Sequence, residues 1–199
     1  MKKLDVLLVG VGGQGIILAS DILSNLGLEL GLDVKKSEIH GMSQRGGSVE
    51  SHVRIGAEVL SPLITRGAAD FVLAMEEVEP LRYLDMASPD ATLIVSNVRV
   101  VPTSVTGGGE KYPSTDEIRG ELEKHFSRVL MMDIVGIMRK LGNFRTANII
   151  QLGTLSAFLP FPVEAWRKVL AASLPQKILA INERAFDEGR AAGLALGGK

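Results

Sequence analysis

Residues 5–15, DVLLVGVGGQG, decide how this chain is read. A short apolar run, Val6 to Val9, breaks into Gly10, Gly12, Gly13 and Gly15, and an apolar helical pattern, IILASDILSNLG, follows at once. Strand, glycine turn and helix in that order let the backbone approach a phosphate group. The glycines permit a tight turn and remove the Cβ atoms that would stand in a ligand's way. The helix start adds N–H groups without intrahelical partners and the positive end of its dipole. Gly10, Gly12 and Gly15 fit G-x-G-x-x-G, but no acid is well placed at the end of the second strand to hold a ribose, and no Gly-Lys-Ser/Thr marks a P-loop. Two readings stay open from this stretch alone: a site for a phosphate-bearing ligand, or a tight turn that holds none.

Working outward, the pattern predicts a strand over 4–10, a helix over 15–30 and a short strand over 34–39. A glycine-rich loop comes next, HGMSQRGG. The alternation of Val49, Ser51, Val53 and Ile55 predicts a half-buried strand, with a further extended piece over 59–64. A buried strand over 69–75, a helix around 78–86 and a strand over 91–96 follow. Residues 98–113 read as strand and loop. Ser114 or Thr115 caps a helix that begins TDEIRGELEKHF, and 128–133 forms the last strand. Helices are expected over 134–141, 146–159, 163–172 and 176–196. This is an α/β chain: a doubly wound, Rossmann-like sheet with a helical C-terminal third, expected as a single domain over 1–199.

Bulk properties exclude several functions. A net charge of −1 gives no basic field for nucleic acid, and aromatics at 5% give few platforms for stacking bases. The chain has no cysteine, so it holds no disulfide, zinc–thiolate site, thiol nucleophile or thiolate-ligated iron–sulfur cluster. Its three histidines have no metal-ligand spacing, and no metal site is expected. No apolar run reaches transmembrane length and no leader pattern is evident, so a cytoplasmic protein is expected.

The second loop gathers His40, Gly41, Ser43, Gln44, Arg45, Gly46 and Gly47. Glycines beside Arg45 let backbone and guanidinium approach one anionic group together. The loop follows the second strand and is expected to face the first glycine turn across one sheet edge. The alternative is an irregular connection whose Arg45 pairs with a carboxylate at a subunit interface. His40 reads as a loop-organising hydrogen bonder, and His52 and His125 as structural. Glu76, Glu77 and Glu79 read as a surface cluster complementing a helix dipole. Asn182, Ala185, Phe186 and Gly189 read as packing positions on the last helix.

GVGGQGI at 10–16, EIHGMSQRGGSVESHVRIG at 38–56, NIIQLGTLSAFLP at 148–160 and KILAINERAFDEG at 177–189 together resemble the gamma-domain family of 2-oxoacid:ferredoxin oxidoreductases. The resemblance runs nearly end to end. It implies a subunit of an oxidoreductase, inactive alone, with no catalytic residue of its own. Thiamine diphosphate and the iron–sulfur clusters are expected on a larger partner subunit, and ferredoxin is met through the complex. The complex would oxidatively decarboxylate a 2-oxoacid, for this subunit type indolepyruvate or a related arylpyruvate, to an acyl-coenzyme A. Gly10, Gly12, Gly13, Gln14 and Gly15, with His40, Gly41, Ser43, Gln44, Arg45, Gly46 and Gly47, become the candidate ligand-binding residues, and coenzyme A the candidate contact. A free-standing nucleotide-binding oxidoreductase and a non-catalytic ligand-binding module remain the competing readings.

Overall fold

In the computed structural model, residues 3–40, 46–109 and 111–198 are described. Six strands form one mixed sheet: β1 (Leu4–Val11), β2 (Asp33–His40), β3 (Ser48–Gly56), β4 (Ala69–Ala74), β5 (Ala87–Ser96) and β6 (Arg128–Met132). Their order across the sheet is β2-β3-β1-β4-β5-β6. β1, β4, β5 and β6 are parallel to one another, whereas β3 runs antiparallel to both β1 and β2. The doubly wound expectation thus holds for the α/β class and for one half of the sheet. The other half turns back because residues 41–47 are too few for a crossover helix, which a parallel return requires.

One face of the sheet is covered by α1 (Ile16–Glu29), α4 (Ile134–Leu141), α5 (Ala147–Ser156), α6 (Val163–Ser173) and α7 (Gln176–Ala195). Their apolar residues, among them Ile22, Leu26, Ile150, Trp166 and Phe186, share one core with Val6, Leu8, Val53 and Ile55 of the strands. The opposite face packs Leu7, Val9, Val72 and Leu93 against Ile118 and Leu122 of α3 (Thr115–Glu123), together with Ile64. Ser114 closes a reciprocal cap at the start of α3: its hydroxyl accepts from Glu117 N–H, and the Glu117 carboxylate accepts from Ser114 N–H. The helical C-terminal third appears as expected, with helix ends within a few residues of those read from sequence.

Several local expectations are corrected. Residues 59–64 form no strand. This segment lies across the polar face of β3, where the Arg54 guanidinium donates to the Ser61 and Leu63 carbonyls at 3.0 and 2.7 Å. His52 Nδ1 accepts from Ile64 N–H at 3.1 Å. Side chains therefore satisfy the backbone groups that a ladder would have used. The helix expected over 78–86 shrinks to a 3-10 turn, Glu79–Arg82. The Glu76 carboxylate caps this turn by accepting from Val78 and Glu79 N–H, and the Asp85 and Met86 carbonyls accept from Gly67, Ala68 and Ala69 N–H, so residues 85–86 pair with the start of β4 and the helix is not continued. β5 begins at Ala87 rather than residue 91, with a register irregularity opposite Ala69 and Phe71 that accommodates Pro89. Within 98–113 the described residues form one short helix, α2 (Thr103–Thr106), and no strand.

Candidate functional site

The site lies at the sheet edge where β1, β4, β5 and β6 end and β3 begins. The antiparallel return of β3 is what brings the second loop back to the first. Gly12 N–H donates to the Gly47 carbonyl at 2.9 Å, joining the two glycine segments directly. The expectation that the loops share one edge is met at Gly47 and at the backbone of His40, which ends β2. Gly41, Ser43, Gln44 and Arg45 lie outside the described residues.

The glycines of the first turn do different work. A Cβ on Gly10 would come within 2.7 Å of Gln14 Oε1 and 2.9 Å of Met75 Cβ, so this position is small to admit its own neighbours. Gly15 has φ of 79° and caps α1, and a Cβ there would strike Asn148 Nδ2 at 2.5 Å. Gly13 has φ of 105°, and a Cβ there would meet nothing within 4 Å. Among the described residues, Gly13 is therefore the member of the turn with space beside it. Among the described residues no side chain caps α1, and its first turn carries no acid, so its N–H groups and dipole are not compensated by those residues.

Two carboxamides brace this turn, and a third braces the neighbouring end of β4. Gln14 Oε1 accepts from Val11 N–H at 2.8 Å, and its Nε2 donates to the Met75 carbonyl at 3.0 Å. Asn148 Nδ2 donates to the Gly15 carbonyl at 3.1 Å. Gln151 Nε2 donates to the Ala74 carbonyl at 2.7 Å. Gln14, expected among the ligand contacts, has both ends of its amide engaged within the chain. The bracing role of Asn148 and Gln151 was missed from sequence. The available signal was two carboxamides three residues apart among the apolar residues of the first half of α5, which places them on one face.

The acidic cluster after β4 is likewise corrected from surface to interior. Glu76 and Glu77 are fully buried and Glu79 nearly so. Glu76 accepts from Val78 N–H, Glu79 N–H, Val100 N–H and the Tyr112 hydroxyl. Glu77 accepts from Arg99 and from the Thr115 hydroxyl. Glu79 accepts from the Ser48 hydroxyl and, at 3.1 Å, from Arg82 Nε. Ser48 also lies 3.0 Å from the Tyr83 hydroxyl. The cluster ties the segment after β5 to the end of β4, and the start of β3 to the 3-10 turn. Farther along the edge, Asp133 caps α4 through Gly136 N–H and accepts from Asn97 Nδ2. Among the described residues, no group of three or more His, Cys, Asp or Glu is arranged to hold a metal.

The tyrosines in this network hold their protons more tightly than ordinary phenols. Burial, followed by the hydrogen bond to Glu76, holds the Tyr112 hydroxyl well above its ordinary range. Burial also pushes Tyr83 up. A raised tyrosine value means that the unfolded chain releases the proton first as pH climbs. Stability from this source is full below about pH 10 and is lost above it, toward the folded-state value. Thermal midpoints should therefore fall above about pH 10, and Tyr112→Phe should flatten that fall. An unchanged alkaline slope in the variant would remove Tyr112 as its cause.

This fold and edge belong to a defined class. The chain is a member of the Pyruvate ferredoxin/flavodoxin oxidoreductase family, which it matches over residues 5–192. It is 39% identical over 189 residues to indolepyruvate oxidoreductase subunit IorB of Archaeoglobus fulgidus, covering 94% of each chain. It is 37% identical to the IorB of Thermococcus kodakarensis over 193 residues, 95% of each. A 2-oxoglutarate synthase subunit, KorC of Methanothermobacter marburgensis, is 27% identical over 193 residues, 96% of each. Among solved structures, the gamma subunit of a keto/oxoacid ferredoxin oxidoreductase from Geobacter sulfurreducens shares the fold with a TM-score of 0.71 at 23% identity. The match covers 96% of this chain and 99% of that one. The 2-oxoglutarate:ferredoxin oxidoreductase of Magnetococcus marinus, solved with 2-oxoglutarate, coenzyme A and succinyl-CoA bound, gives 0.76 at 21% identity. There the match covers all of this chain but 32% of the other, so the chain spans about a third of that longer protein.

Proposed function

We propose that this chain is the non-cluster subunit of a ferredoxin-dependent 2-oxoacid oxidoreductase acting on indolepyruvate or a related arylpyruvate. The observation that carries the reading is the 39% identity to an IorB subunit across 94% of both chains, against 27% to a KorC subunit over a similar length. The complex decarboxylates the 2-oxoacid oxidatively, passes the electrons to ferredoxin and releases an acyl-coenzyme A. With no cysteine of its own, this chain leaves the thiolate-held clusters, together with thiamine diphosphate, to a larger partner subunit in the cytoplasm. The absence of any helix long and apolar enough to cross a membrane among the described residues accords with that setting.

The test is reconstitution. The purified chain should show neither iron–sulfur absorption nor 2-oxoacid oxidation. Adding the larger subunit should give arylpyruvate-dependent, coenzyme A-dependent reduction of ferredoxin or a dye. Oxidation by the isolated chain, or a complex indifferent to its presence, overturns the reading. Preference for 2-oxoglutarate over arylpyruvates overturns the substrate assignment.

Within this reading the glycine edge serves a phosphate-bearing ligand, coenzyme A, and Gly13 is the point of closest approach. Gly31 is a control: it too has a left-handed φ, 71°, and among the described residues a Cβ there would meet nothing within 4 Å, but it lies in the turn after α1. Gly13→Ala and Gly31→Ala should each cost about 1 kcal/mol of stability through the strained backbone. Gly13→Ala alone should raise the coenzyme A requirement of the assembled complex. Equal activity in the two variants would make the turn structural.

Arg45 is assigned to the same anion. Removing one charge-assisted contact of this kind costs about 1.5–3 kcal/mol, on the order of tenfold to a hundredfold in affinity. Arg45→Ala should keep the fold and impair the complex, and Arg45→Lys, lacking the planar fork, should not be silent. Titration against the larger subunit separates two roles. Normal assembly with a raised coenzyme A requirement places Arg45 at the ligand, whereas failed assembly places it at the interface.

A further inference from the structure

β2 ends the sheet, and among the described residues no strand pairs its outer edge. It is eight residues long, has no proline, and pairs with β3 from Asp33↔Gly56 to His40↔Val49 without a bulge. Natural edges are usually blunted by such interruptions, by short length or by inward charge. Here the lysines, Lys35 and Lys36, are the remaining device, and their placement discriminates between partners.

The direction of each backbone group follows from the ladder. Gly12 donates to Gly47 toward β3, while Val9 accepts from Met75 toward β4. Backbone groups alternate sides along an antiparallel strand. The even residues of β1 therefore face β3, and the even residues of β3 face β2. It follows that Val34, Lys36, Glu38 and His40 turn their N–H and C=O groups to the free edge.

We infer that this edge pairs with the same edge of a second copy, antiparallel about a two-fold axis at Ser37. Only even residues can exchange bonds across that axis, so few full-length registers exist. Centring on residue 36 sets Lys36 against Lys36, and centring on residue 38 sets Glu38 against Glu38. Like charges directly opposite are destabilising. Centring on Ser37 sets Lys36 against Glu38 of the second copy, Glu38 against its Lys36, and Val34 against its residue 40, with the two small Ser37 side chains facing each other. A two-fold interface is self-complementary in this sense. Within one copy, Lys36 already lies against Asp21 of α1 and, at 2.6 Å, against Glu38, so its ammonium is held on this flank. The same flank exposes apolar surface. Ile17 and Leu28 lie on the α1 stripe that carries Asp21, at 47% and 59% exposure, and on the other face of the sheet Ile39 of β2 is 45% exposed.

The experiment is a charge exchange read by sedimentation of the full chain at micromolar concentration. The chain should sediment as a dimer. Lys36→Glu and Glu38→Lys should each weaken it at least about tenfold, because each sets two like-charged pairs across the axis. Mixing the two single variants should restore association as a mixed dimer. One copy then carries acids at both positions 36 and 38 and the other carries lysines at both, so every pair across the axis is again of opposite charge. That rescue would not follow from a merely unfolded or loosened β2. A chain that stays monomeric overturns the inference. So does a dimer indifferent to both substitutions, or two monomeric variants that fail to associate on mixing.

Discussion

Gly189→Ala is expected to destabilise the chain by about 3 kcal/mol or more, although it adds a single methyl group. Gly189 lies in α7 directly against α5. A Cβ there would fall 1.9 Å from the Ile150 carbonyl oxygen and 2.7 Å from its carbon. The reciprocal contact sets a Cβ on Gly153 of α5 at 2.1 Å from the Phe186 carbonyl oxygen. Both obstacles are helical backbone, which cannot rotate aside, so the two helices must separate. Separation would open the core around Phe186, which is fully buried with its ring centroid 5.6 Å from that of Trp166. It would also break the bond from the Thr154 hydroxyl to the Gly189 carbonyl. Gly120→Ala supplies the contrast. It makes the same change inside α3, where a Cβ would meet nothing within 4 Å. Helix propensity should then make it neutral or stabilising by about 0.5–1 kcal/mol. Urea unfolding of both variants checks the pair, and equal shifts would show that α5 and α7 can part without cost.

Glu76→Gln should cost about 2–4 kcal/mol, from the desolvation of buried donors left unsatisfied. Four donors converge on the two carboxylate oxygens, two N–H groups on one and an N–H and a hydroxyl on the other. An amide keeps the shape but turns one acceptor into a donor, so at least one backbone N–H loses its acceptor, the Tyr112 hydroxyl alone being able to accept in return. The outcome depends on which oxygen is replaced. If the amide nitrogen faces Val100 and Tyr112, the segment after β5 loosens. If it faces Val78 and Glu79, the 3-10 turn loosens. Hydrogen exchange at the Val78, Glu79 and Val100 amides distinguishes these, and unchanged protection at all three with unchanged stability would contradict the role given to Glu76.

Much of the fold was legible because it rests on short-range pattern. Val6–Val9 and the four glycines placed β1, the turn and α1. Ser114 with Glu117 marked the start of α3 through a local exchange of hydrogen bonds. Gly189 and Phe186 were readable as packing positions because one small and one large residue on a single helix face anticipate close approach. The errors came where groups from elsewhere in the chain outcompeted the local pattern. Residues 59–64 read as extended, but Arg54 and His52 take their backbone groups. Residues 78–86 read as helix, but the Asp85 and Met86 carbonyls are taken by the N–H groups of Gly67, Ala68 and Ala69.

The candidate site divides in the same way. The sequence by itself determined the two glycine segments, the lack of any thiolate for a cluster, and the family resemblance, since each is a property of residue identity and spacing. Only the tertiary structure decided that β3 turns back and joins Gly12 to Gly47, and that, among the described residues, a side chain on Gly13 would meet no neighbour while one on Gly10 or Gly15 would. It also decided that Gln14 braces the turn and that Glu76, Glu77 and Glu79 are interior. The physical reason is common to these cases. Whether a carboxylate or carboxamide faces solvent depends on the donors and acceptors brought to it from elsewhere in the chain. Glu76 meets Tyr112, Gln14 meets Met75 and Asn148 meets Gly15 across separations that no local pattern encodes.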